Sequence, residues 1–66
     1  MSTESHNRIV PEIVKMLVRE SDGESDCMVA LESVVLGIML YYCPKPRHAG
    51  EFLDSMTASV IERLKP

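Results

Sequence analysis

Four side chains in this sequence are of the thiol and imidazole kind that can act as nucleophile, base or soft metal ligand: His6, Cys27, Cys43 and His48. Only Cys43 and His48 lie near one another along the chain, with Pro44 and Pro46 between them. A thiol and an imidazole form a nucleophilic pair when the imidazole accepts the thiol proton and a third group orients the ring. Nearness in sequence does not create that geometry, and a chain of 66 residues leaves little room for a substrate cleft. As metal ligands the same residues give a single Cys-x4-His, whereas structural zinc sites use ligand pairs two to four residues apart, twice over. The sequence therefore predicts no catalytic residues, no metal and no cofactor, and the protein is expected not to be an enzyme.

Oxygen ligands are the second possibility. Asp22, Glu24 and Asp26 alternate around Gly23. A calcium loop also alternates its oxygens, but the twelve-residue pattern with glycine at position six and a closing glutamate is absent. These acids instead read as a solvated loop that complements the positive end of the following helix. The segment Leu53-Asp54-Ser55-Met56 resembles the Asp-Ser-Leu attachment site of acyl carrier proteins over three or four residues. In that family the serine opens a helix. Here Ser55 falls within one, so no carrier role is expected.

Composition narrows the partners. Ten acids against seven bases give a net charge of −3. That sign works against non-specific nucleic-acid binding, which draws its affinity from neutralised phosphates, and against adhesion to anionic membranes. The segment Met1–Asn7 lacks the basic region and apolar stretch of a signal peptide, so the chain is expected to be cytoplasmic. Hydrophobic residues make up 45% and charged residues 26%, which is globular composition rather than disorder. With no Trp, one Phe and five Met, any core must be aliphatic and methionine-rich.

Three helices must carry these residues. Ile9, Val10, Ile13, Val14, Met16, Leu17 and Val18 lie opposite Arg8, Glu12, Lys15 and Arg19, which recur at steps of four, three and four. That pattern predicts a helix over 8–20 behind a flexible tail of residues 1–7, with Pro11 in its first turn, where the missing N–H costs least. Glu20–Asp26 reads as a loop, with Ser25 or Asp26 capping the next helix. Cys27 to Tyr42 is apolar at every position except Glu32, Ser33 and Gly37, which predicts a central helix over 26–43. A membrane span needs about 20 apolar residues and would place Glu32 in hydrocarbon, so a buried helix is preferred. At 16 residues of helical rise, Cys27 and Cys43 would stand about 24 Å apart, too far for a disulfide in one chain. Cys43-Pro44-Lys45-Pro46 makes a stiff corner with extended residues before each proline. A third helix is predicted over 47–65, from Ala49, Phe52, Leu53, Met56, Val60, Ile61 and Leu64.

These elements imply an all-α, single helical domain over 8–66. A helix that is apolar nearly all round must be buried on every side. Two amphipathic neighbours from the same chain cover about half its circumference. Monomers rarely expose apolar patches beyond a few hundred Å². The expectation is therefore a compact helical-bundle homodimer, cyclic two-fold pairs being the commonest soluble oligomers. Ala30, Ser33, Gly37 and Tyr41, with Val34 beside them, form the expected interface, because small side chains let a neighbouring helix approach closely. Arg8, Glu12, Lys15 and Arg19, together with the corner Lys45, Arg47 and His48, form a surface for another protein. Functionally this implies an interaction or regulatory protein, or alternatively an inhibitor or chaperone-like module that docks its apolar central helix on a different protein.

Overall fold

The computed structural model of the chain describes residues 3–66, and three helices account for most of them: α1, Thr3–Glu20; α2, Glu24–Tyr42; and α3, Pro46–Leu64. The described residues include no strand. The all-helical reading and the number of helices agree with the sequence. Several boundaries and caps do not.

The first difference is at the amino terminus. The helix begins at Thr3, five residues earlier than expected, so residues 3–7 are helical; Met1 and Ser2 of the expected tail lie outside the described residues. Apolar periodicity starts only at Ile9, and the polar turn before it gives no such signal. Glu4 in the first turn and Arg19 in the last complement the helix dipole. Pro11 consequently lies inside α1 rather than in its first turn. It supplies no N–H to close a bond on the Asn7 carbonyl.

The turn after α1 is built by two side-chain bonds and one glycine. The Ser21 hydroxyl donates to the Leu17 carbonyl, closing the last turn of α1. Gly23 has φ of +112°, in the region that residues with a Cβ rarely enter, and turns the chain into α2. Helix α2 starts at Glu24, and Cys27 N–H donates to the Gly23 carbonyl at 3.0 Å. Gly23 thus stands where Ser25 or Asp26 was expected to cap, and both of those residues sit inside the first helical turn. Asp26 contributes differently: its Oδ2 accepts the Asp22 N–H at 2.9 Å.

The second corner also departs from expectation at one of its two prolines. Lys45 is extended (φ −61°, ψ 139°), as a residue before proline should be, and Pro46 occupies the start of α3. Cys43 is not extended. Its φ is +50°, the left-handed conformation that commonly ends helices, with its N–H on the Met39 carbonyl at 2.8 Å. Its thiol donates to the Leu40 carbonyl at 3.0 Å.

The chain falls into two compact units, Met1–Leu36 and Gly37–Pro66, divided inside α2. In the first, the half-buried residues are Ser5, Leu17, Ser21, Cys27, Ala30 and Val35. An open cleft there is lined by Val18 from α1, Gly23, and Glu24, Cys27 and Met28 from α2. In the second unit Met39, Ala49 and Leu53 are half-buried. No described residue is fully buried.

Candidate interaction surface

An apolar side chain left in water forgoes about 1.5–3 kcal/mol relative to full burial. Helix α2 carries nine large apolar or aromatic residues that are exposed in this chain, and their distribution around the helix is the main guide to function. With 3.6 residues per turn, three stripes divide its circumference into rough thirds. Cys27, Ala30 and Val34 form one; the first two are half-buried and Val34 is only 40% exposed. Val35 and Met39, both half-buried, form another. A third holds Val29, Ser33, Leu36 and Leu40, all four exposed; Met28, Leu31, Ile38, Tyr41 and Tyr42, beside the half-buried residues of the first two, are exposed as well.

This partition places the expected interface residues unequally. Ala30 is half-covered within the chain, whereas Ser33, Val34, Gly37 and Tyr41 are exposed. A Cβ built on Gly37 would meet nothing within 4 Å, so no neighbour in the chain accounts for a glycine at this position. Glycine in a helix interior costs about 1 kcal/mol relative to alanine, at Gly37 as at Gly50, whose flank is equally open. Tyr41 packs edge-on against Tyr42, with ring centroids 4.9 Å apart. The sequence did not single out Val29, Leu36 or Leu40. Their three-and-four spacing was present, but a helix apolar on all sides offers several such stripes, and Leu31, Val34, Ile38 and Tyr41 form another that is exposed.

The charged residues expected to meet a partner are all exposed. Arg8, Glu12, Lys15 and Arg19 lie along α1; Arg19 Nε bonds its neighbour Glu20 at 3.0 Å. At the second corner Lys45 precedes α3, Arg47 Nε reaches Glu51 Oε1 at 3.3 Å one turn on, and His48 is exposed. Pairs this open to solvent contribute at most about 1 kcal/mol.

For the chemistry-bearing residues the arrangement is dispersed. Among the described residues no three His, Cys, Asp or Glu side chains gather into a group that could hold a metal ion. Both thiols are free: Cys27 is half-buried in the first turn of α2 and Cys43 is exposed at its end. By length and composition α2 is also long and apolar enough to cross a membrane. No family model, curated protein or solved structure matches this chain.

Proposed function

We propose that this chain is a small, non-enzymatic interaction or regulatory protein that works as a homodimer. The observation that carries the reading is the condition of α2: apolar from Cys27 to Tyr42 except at Glu32, Ser33 and Gly37, yet without one buried side chain. An α-helix of this composition reaches a stable state in water only when a further apolar surface covers it. Ser33, Val34, Gly37 and Tyr41 are open to a second copy, with Ala30 contributing from the edge of the surface. The exposed charges on α1 and at the Lys45–His48 corner then face outward to another protein. Two free thiols suit a reducing, cytoplasmic setting.

Sedimentation equilibrium over a wide dilution series in reducing buffer tests this. A mass twice the 7.4 kDa of the chain, persisting to low concentration, supports the homodimer. A stable monomer overturns it and transfers the surface to the second reading, a module that docks α2 on a different protein. The exposed apolar side chains of α1 and α3 suit that arrangement as well.

A further inference from the structure

Helix α2 belongs to both compact units, the first ending at Leu36 and the second beginning at Gly37. Its half-buried side chains stop on either side of that boundary. Cys27, Ala30 and Val35 are half-buried in the first unit, and Met39 is half-buried in the second. Between Val35 and Met39 the helix is bare. Leu36 is 58% exposed, Ile38 is 52% exposed, and a Cβ on Gly37 would meet nothing within 4 Å.

The sequence weakens the same turn independently. Of Ser33, Val34, Val35, Leu36, Gly37 and Ile38, only Leu36 is a strong helix former. Serine competes for backbone bonds, the β-branched residues lose side-chain freedom, and glycine gives up the most backbone entropy. The six residues before them include Met28, Ala30, Leu31 and Glu32, all strong formers. Gly50 is as open on its flank, but it lies within one unit, next to the half-buried Ala49 and three residues from the half-buried Leu53.

Most helical stability in proteins comes from packing rather than propensity. A turn whose side chains pack on little is held by its backbone bonds, and such turns open at low free energy. In an α-helix each amide bonds the carbonyl four residues earlier. The bonds that cross the boundary therefore run from Gly37 to Ser33, Ile38 to Val34, Met39 to Val35 and Leu40 to Leu36.

We propose that α2 is jointed at Leu36–Ile38: this turn opens and re-forms while each unit keeps its own packing, so that the two units reorient about Gly37. Hinges sit at the few residues able to absorb a large change of φ and ψ, and glycine is the least restricted of these. The joint is a property of the single chain and does not rest on the homodimer reading.

Amide hydrogen exchange on the full-length chain, followed residue by residue by nuclear magnetic resonance in reducing buffer, tests this. After correction for intrinsic rates, the amides of Gly37–Leu40 should exchange at least about 10-fold faster than those of Leu31–Val35 and of Leu53–Thr57. Gly37→Ala should slow the four boundary amides about 5-fold, the factor that its gain in helix propensity implies, and leave the two reference sets unchanged. Gly50→Ala should leave the boundary amides unchanged. Equal protection along the whole of α2 overturns the joint. So does a Gly37→Ala chain in which every amide slows by the same factor, because that is global stabilisation. The contrast is read within one sample, whether sedimentation finds that sample to be monomer or dimer.

Discussion

The Asp22 N–H donates to Asp26 Oδ2 at 2.9 Å, reaching forward from the turn to the third residue of α2. In a capping box the third helical residue returns to the N-cap amide; here it returns one residue further, to the amide of Asp22 ahead of the Gly23 cap. The bond fixes the entry of the chain into α2, and the carboxylate lies at the positive end of the helix. Asp26→Ala should therefore destabilise the fold by about 1 kcal/mol, while Asp26→Asn, which keeps the acceptor, should lose less. Urea denaturation at one fixed protein concentration measures both, because the proposed dimer would make stability depend on concentration.

Two residues with positive φ should respond in opposite directions. Gly23, at +112°, has open space around it, so Gly23→Ala meets no steric neighbour and reports backbone strain alone. The expected loss is about 1–3 kcal/mol. Cys43, at +50°, already bears a side chain in the left-handed region. Cys43→Gly should stabilise by about 0.5–1 kcal/mol, less the thiol bond to Leu40. Thermal melting of the two variants side by side gives the comparison, and a Cys43→Gly chain that melts lower refutes the strain argument.

Much of this architecture was legible in the sequence, and the parts that were not share a physical cause. The three helices follow from apolar spacing around Ile13, Leu36 and Met56. Helix starts are written in polar residues, where periodicity is silent. Hence Thr3–Asn7 read as a tail, and Pro11 read as a first-turn proline because residues 2–8, ahead of Ile9, hold nothing apolar. Caps were misplaced for a related reason. Ser25 and Asp26 are good capping residues, but the conformation of Gly23 decides where the helix begins. The surface was harder still. Ala30 and Gly37 are both small, and composition alone cannot tell that Ala30 is half-covered by its own chain while Gly37 is open.

Gly37 and Gly50 form a matched pair for testing that surface. Both lie in helices and neither has an atom within 4 Å of a built Cβ. Gly50→Ala should simply gain helix propensity, about 0.5–1 kcal/mol. On the homodimer reading, Gly37→Leu adds bulk at the proposed interface and should raise the dissociation constant at least about 10-fold, a change of about 1.4 kcal/mol. Sedimentation equilibrium of the two variants decides this; an unchanged constant for Gly37→Leu removes that flank from the interface.

Within α1, Pro11→Ala restores an N–H to a helix interior where proline costs about 3 kcal/mol. The expected result is a higher melting temperature and greater helical ellipticity, read by far-ultraviolet circular dichroism. A lower melting temperature would show that the proline ring makes a contact worth more than the bond it removes.

Pro11 also gives α1 a point of kinetic separation. With no hydrogen bond closing across it onto the Asn7 carbonyl, the turns from Thr3 to Asn7 can open without drawing Ile13–Glu20 with them. Amide protons of those first turns should exchange with solvent through local fraying, at rates unaffected by mutations in α2. Those from Ile13 onward should be released only when the chain unfolds. One continuous helix in space is, on the timescale of proton exchange, two.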